Sequence, residues 1–243
     1  MSKIYEALQH AHKQKKGKEN VPGVPIPFEP PKHADTELGE EMLSLYKIVD
    51  ALLPQNKAKI IQFIGSREGE GASTIVREFA RVCADLIGHS VLLLDADRHQ
   101  PTQSHYFDIQ SEYGWIDALK KGDQIGSAFY RIGQSSLFMS PSCNSSTSTP
   151  EIFKSPIFDG LCQNLKIDFD LVLIDSAPLT ISPDGLAIAS KVDGVILVVE
   201  AEKTRWQTVK QARESISRVG GNILGVVLNK RRYYIPQSIY KYL

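Results

Sequence analysis

The chain has 243 residues, 42% of them hydrophobic, with 28 Lys and Arg balanced by 28 Asp and Glu. That length suits one α/β domain with a sizeable core plus tails, and zero formal net charge excludes a long-range field that would gather nucleic acid or an anionic membrane. Cys83, Cys143 and Cys162 lack C-x-x-C spacing, which argues against a disulfide framework or zinc site and suits a reducing cytoplasm; with no apolar leader and no run of about 18–20 apolar residues, the chain is expected neither to cross nor to enter a membrane.

Residues Met1–His12 set Ile4, Leu8 and Ala11 at helical spacing opposite Lys3, Glu6 and Gln9. A short amphipathic helix follows, docking either on its own domain or on a partner. From Lys13 to Asp35 the chain turns basic and then proline-rich at Pro22, Pro25, Pro27, Pro30 and Pro31, which reads as a semi-extended linker. The expected organisation is thus an N-terminal helix and linker over residues 1–36, a domain over 37–229, and a tail over 230–243 carrying Tyr233, Tyr234, Tyr240 and Tyr242.

Within the domain, Ile60–Ile64, Val91–Leu94, Leu171–Ile174, Val195–Val199 and Ile223–Leu228 are near-continuous apolar runs rich in β-branched residues. Such runs fit strands covered on both faces. Helical periodicity over Ser73–Ile87, Pro183–Ala189 and Arg205–Val219 separates them, so the alternation predicts a three-layer, doubly wound, mostly parallel α/β sheet. Ligands of such sheets bind beyond the carboxyl ends of the strands.

After the first run comes Gly65-Ser66-Arg67-Glu68-Gly69-Glu70-Gly71-Ala72-Ser73-Thr74 and then a helix. The spacing is that of the phosphate-cradling G-x-x-x-x-G-K-[ST] loop, with Ala72 in the lysine's place. Glycines let successive N–H groups face a phosphate, and the helix adds its positive end. Ser73 is in register to ligate Mg²⁺. A purely structural strand-to-helix turn would show the same glycines.

The second run ends in Asp95-Ala96-Asp97, two acids suited to a hydrated Mg²⁺ or, alternatively, a pair of solvated loop acids. Another strand ends in Asp175, a usual position for a carboxylate that holds Mg²⁺ or orients an attacking group. The last run ends in Asn229, whose amide could read a purine base or simply belong to a turn. Three signals at three strand ends in this chain order are more specific together than singly. Trp115 and Trp206 read as packing residues, Trp206 also standing near enough a strand end to approach a nucleotide.

This order of loop, Asp-x-Asp strand, Asp-ending strand and final Gly225-Val226-Val227-Leu228-Asn229 resembles the bacterial tyrosine kinases of capsule and exopolysaccharide biosynthesis, within the MinD/ParA-like class of P-loop proteins. The opening Met1-Ser2-Lys3-Ile4-Tyr5-Glu6-Ala7-Leu8, the Gly69-Glu70-Gly71 triplet and Val192–Val199 with Thr204 are also similar to the kinase branch. The resemblance implies Mg²⁺ with ATP or ADP at Gly69, Glu70, Gly71, Ala72, Ser73 and Thr74, with Ser73, Asp95 and Asp175 at the metal. It further implies catalytic roles for Asp95, Asp97 and Asp175, and phosphoacceptor tyrosines in the tail. The tail aromatics would otherwise pack on a neighbouring protomer.

The implied partners are a membrane polysaccharide co-polymerase or chain-length regulator and a catalytic paralogue or further copies of the chain. Nucleic acid is not among them. The implied setting is cytoplasmic, held at the inner face of the membrane through the partner.

Departures from the pattern bear on mechanism. Ala72 has neither the charge nor the reach of the lysine that neutralises the β- and γ-phosphates, a loss on the order of a hundredfold or more in rate. Arg67 occupies the place of a second lysine found in MinD/ParA-like loops, either as a rescue or paired with Glu68 and Glu70. In the family's Glu-x-x-Arg-x-x-Arg oligomerisation helix, Leu43 and Tyr46 follow Glu40 where arginines are expected. The expected activity is an impaired, nucleotide-sensing or scaffolding kinase relative; the alternatives are an active autokinase and a ParA-like positioning ATPase.

Overall fold

The computed structural model describes residues 26–27, 36–55, 57–111, 113–142 and 151–231. The N-terminal helix expected over Met1–His12 and the tail tyrosines Tyr233, Tyr234, Tyr240 and Tyr242 lie outside the described residues. The elements in order are α1 Thr36–Leu52, β1 Lys59–Gly65, α2 Ala72–Val82 with a π-helical turn Cys83–Ile87, β2 Val91–Asp95, α3 Gln103–Tyr106 and α4 Trp115–Lys121. They continue with β3 Tyr130–Arg131, β4 Leu137–Ser140, α5 Glu151–Lys154, α6 Pro156–Asp168, β5 Leu171–Ser176, α7 Asp184–Ala189, β6 Gly194–Glu200, α8 Trp206–Arg218 and β7 Ile223–Asn229.

The seven strands lie in the order β3-β4-β2-β5-β1-β6-β7, with only the short edge strand β3 antiparallel. This is the doubly wound α/β sheet expected from the alternation. Both faces are covered, which is why the central strands read as continuous apolar runs. Ile61, Phe63, Leu93, Leu173 and Val198 face a cluster built with α1 and α2, where Val49, Val76 and Phe79 are buried. On the other face Ile60, Leu92, Leu94, Val172 and Ile174 meet Trp115, Phe158 and Leu165 of α4 and α6, and Ile64, Val195 and Leu197 meet Ala212 and Ile216 of α8.

Ile26, inside the stretch read as a linker, is buried in the first of these clusters. Its N–H donates to Arg131 O at 2.8 Å and its carbonyl accepts from Gly133 N at 2.8 Å. Neither bond needs the N–H that the flanking prolines lack. Leu43 and Tyr46 of α1, at the positions where arginines were expected, pack against the same core. Cys83 and Cys162 are free and buried.

Register brings the chemistry together. β5 lies between β1 and β2, and Asp95 of β2 stands directly opposite Asp175 of β5. Ala96 N donates to Asp175 O at 2.8 Å, extending the ladder past the strand end. The loop after β1 therefore opens onto the same rim as both acids.

Candidate functional site

The loop between β1 and α2 is shaped by glycine where nothing else fits. Gly71 precedes the first residue of α2 at φ 88°, and a Cβ there would fall 2.3 Å from Asn229 Nδ2. Gly65 is equally confined, since a Cβ would sit 2.9 Å from Arg67 O. Thr74 N and Ile75 N both donate back to Gly71 O. The first N–H groups of a helix have no partner within it, so the start of α2 presents donors to an anion.

Glu70 holds this turn closed. It is only 3% exposed; Oε1 accepts from Ser66 Oγ at 2.8 Å and Thr204 Oγ1 at 2.5 Å, and Oε2 accepts from Arg67 N at 2.8 Å. From the far side, Asn229 Nδ2 donates to Glu70 O at 2.9 Å. The asparagine amide thus ties the end of β7 to the loop. Thr204 and Asn229, distant in sequence, are both loop-bracing residues here.

The three acids occupy one rim but differ in what surrounds them. Asp95 is fully buried; its Oδ1 accepts from Asp97 N at 3.0 Å and its Oδ2 from Gln103 N at 3.3 Å. Burial, reinforced by the charge of Asp175, lifts its carboxyl well above the usual range. Burial likewise pushes Asp175 up to about 6, against hydrogen bonds from Gln103 and Ser73 that favour its charged form. Asp97 turns its Oδ1 to the backbone N–H groups of His99 and Gln100, at 2.9 and 3.0 Å. That oxygen caps its own loop, while the charge of Asp97 acts on both Asp95 and Asp175.

Ser73 Oγ donates to Asp175 Oδ1 at 3.2 Å, placing the hydroxyl and the acid that the sequence assigned to Mg²⁺ in direct contact. Among the described residues no group of three His, Cys, Asp or Glu side chains forms a metal cage. Mg²⁺ keeps several waters and takes one or two carboxylates together with substrate phosphates. Ser73 and Asp175, with Asp95 behind them, are the residues that would hold it. The fit is supported by two buried carboxylates whose titration burial raises and by the Ser73 hydroxyl standing directly against one of them.

Sequence reasoning missed several residues. Gln103, fully buried, donates through Nε2 to Asp175 Oδ2 at 2.7 Å and to Ser73 O at 2.9 Å, while its Oε1 has no partner. It opens the four-residue α3, eight residues past Asp95, a helix too short for periodicity to mark it. Arg98, half-buried, forms an ion pair with buried Asp184 at the start of α7, its Nε 3.0 Å from Oδ2. Arg77 of α2 is buried, stacked 3.7 Å over the Tyr106 ring and bonded to Thr74 Oγ1 at 3.3 Å. Helical periodicity alone would have placed that arginine on a solvated face.

Two expectations are corrected. Arg67 is not paired with Glu68 or Glu70 through its guanidinium, which reaches Thr208 Oγ1 on α8 at 3.3 Å; the carboxylate of Glu70 is taken by the loop itself. Trp206 is no packing residue: it opens α8 and is 66% exposed, with Lys210 over its ring at 5.7 Å. Trp115 is buried as expected and donates Nε1 to Asp95 O at 2.8 Å.

Comparison with known proteins agrees with this architecture. Residues 58–219 match the family described as cellulose biosynthesis protein BcsQ. The chain is 29% identical over 173 residues to the tyrosine-protein kinase CpsD of Streptococcus agalactiae, covering 71% of this chain and 75% of that protein. It is also 29% identical over 189 residues to the succinoglycan biosynthesis transport protein ExoP of Rhizobium meliloti, covering 74% of this chain but 23% of that longer one. Among solved structures, that of the chimerical protein CapA2B2 superposes with a TM-score of 0.76 at 23% identity, covering 83% of this chain and 88% of that one.

Proposed function

Because the chain belongs to the cellulose biosynthesis protein BcsQ family and stands among the bacterial tyrosine kinases of the MinD/ParA-like P-loop proteins, we propose that it is a kinase relative of capsule or exopolysaccharide assembly that holds Mg-nucleotide but transfers phosphate poorly. The observation that carries this reading is the joining of the Gly71 turn, Ser73 and Asp175 at one rim of the sheet, with Ala72 where the phosphate-neutralising lysine would stand.

The contacts that bind differ from those that accelerate. Backbone N–H groups of the turn, and the Mg²⁺ that Ser73 and Asp175 would hold, would act on a bound nucleotide whatever residue 72 is. The missing ammonium acts on charge that develops during transfer, and removing one such contact typically slows transfer on the order of a hundredfold. Bound Mg²⁺ would supply charge neutralisation between the phosphate oxygens and the carboxylates. The chain's own part is to fix Ser73 through Asp175, to keep both acids buried, and to keep the turn closed through Glu70.

In this reading the nucleotide state reports to a membrane partner that builds or exports polysaccharide. ExoP, a transport protein in which the matching segment is a minor share of the length, supports such a coupling. Phosphoacceptor roles for the tail tyrosines belong to the same proposal. Radiolabelled ATP and Mg²⁺ incubated with wild type and with Ala72→Lys test it. Nucleotide binding by both, with tyrosine labelling raised on the order of a hundredfold in Ala72→Lys, is the expected result; wild type labelling as strongly as the variant refutes the impaired-transfer reading.

A further inference from the structure

The turn from β7 back toward the loop carries a cation. Asn229 is held by Glu70 O, and its own Oδ1 accepts from Lys230 N at 2.8 Å. Lys230 follows at φ 57°, in the left-handed region that a residue with a Cβ seldom adopts. Its side chain passes within 4.0 Å of where a Cβ on Gly71 would be. Its Nζ then reaches Gly69 O at 2.5 Å, with Glu200 Oε2 at 3.4 Å. The lysine thus spans the glycine triplet from Gly71, the residue before Ala72, back to Gly69 at its start.

The other cations around the loop are directed elsewhere. Arg67 extends to Thr208, Arg98 is committed to Asp184, and Arg77 is stacked under Tyr106 one turn along α2. Lys230 alone among these four has its head group on the loop backbone. Its side chain is 47% exposed, so redirecting the ammonium from a carbonyl to a phosphate moves no charge into or out of a buried site. An ammonium has three donors, and a phosphate oxygen is a stronger acceptor than the neutral carbonyl it now holds.

We propose that Lys230 supplies, from the end of β7, the phosphate-contacting ammonium that residue 72 lacks. This rests on the reading that the loop takes nucleotide, and deepens it: affinity for the phosphates is kept by a cation entering from outside the loop rather than from within it. The competing role is a surface tether in which Lys230 pins Gly69 and Glu200 and never meets a ligand.

A double-mutant cycle on the full chain separates the two. MgATP affinity is measured by calorimetry for wild type, Lys230→Met, Ala72→Lys and the double variant, with melting temperature recorded in the absence of nucleotide. Lys230→Met is expected to weaken MgATP on the order of tenfold, Lys230→Arg to retain most of the affinity, and Ala72→Lys to gain more in the Lys230→Met background than in wild type, because two cations then compete for one task. Unchanged affinity in Lys230→Met, or gains from Ala72→Lys that are equal in both backgrounds, overturns the inference while leaving nucleotide binding intact. If wild type binds no MgATP, the nucleotide reading itself fails and the role of Lys230 falls with it.

Discussion

Replacing Asp175 by Asn turns the buried acid pair into a stability measurement. Burial lifts Asp175 from the usual 3.8 to about 6, and each unit is worth about 1.4 kcal/mol. The folded chain therefore keeps this proton to higher pH than the unfolded chain. Stability from this group is fully present below about pH 3.8 and is lost as pH rises through about 6. At pH 7.5 the ionised carboxylate withholds roughly 3 kcal/mol, an order-of-magnitude figure.

Asn still accepts from Ser73, but its amide N–H faces Gln103 Nε2. Gln103 must turn its unpartnered Oε1 inward and give up Ser73 O, at a cost of about 1 kcal/mol. Without divalent cations, Asp175→Asn should be more stable than wild type by about 2 kcal/mol at pH 7.5, a rise of roughly 4–8 °C. Near pH 4.5 the gain should vanish, because the native carboxyl already carries its proton. Thermal unfolding by circular dichroism at both pH values checks this. A variant less stable at pH 7.5, or equally shifted at both, would show that the acid cluster is not electrostatically strained.

Other substitutions probe the frame around the acids. Gly71→Ala demands a left-handed alanine and displaces Asn229 from Glu70 O, costing about 2 kcal/mol, whereas Gly69→Ala, also at positive φ but with no atom within 4 Å of its Cβ, should cost about half of that; scanning calorimetry compares them. Arg98→Ala leaves Asp184, 2% exposed, without its cation, and should lower stability by about 3–5 kcal/mol. Adding Asp184→Asn should recover part of that loss in urea unfolding, and no recovery would mean the pair is not the cause.

Much of the fold was legible because burial on both faces of the sheet writes itself as uninterrupted apolar sequence. All five expected strands form, each lengthened by one or two residues where a polar or glycine end, such as Lys59, Gly65 or Asp95, continues the ladder. The edge was not legible. β3 is two residues and β4 four, too short to show alternation. In α6, exposed Ile157 and Ile167 together with Gly160 blur the stripe that Phe158, Leu161 and Leu165 make.

At the site, residue identity carried the acids, the serine and the glycines, since their chemistry requires strand ends in a set order. What periodicity and motif could not carry was orientation. Asp97 spends one oxygen on its own turn, Arg67 leans away onto α8, and Gln103 enters from a segment without pattern. Each is decided by which backbone donors happen to lie within reach, a property of the folded rim rather than of the local sequence.

The arrangement also explains how the turn after β1 holds its shape with alanine at the first position of α2. A turn that gathers N–H groups toward one point needs a negative charge or an internal acceptor to hold it. Here Glu70 provides that acceptor, with three donors converging on its carboxylate and Asn229 on its carbonyl. None of those bonds involves the side chain of residue 72. The shape of the loop is therefore independent of whether residue 72 carries a charge, and the proposed impairment of transfer carries no cost to the fold.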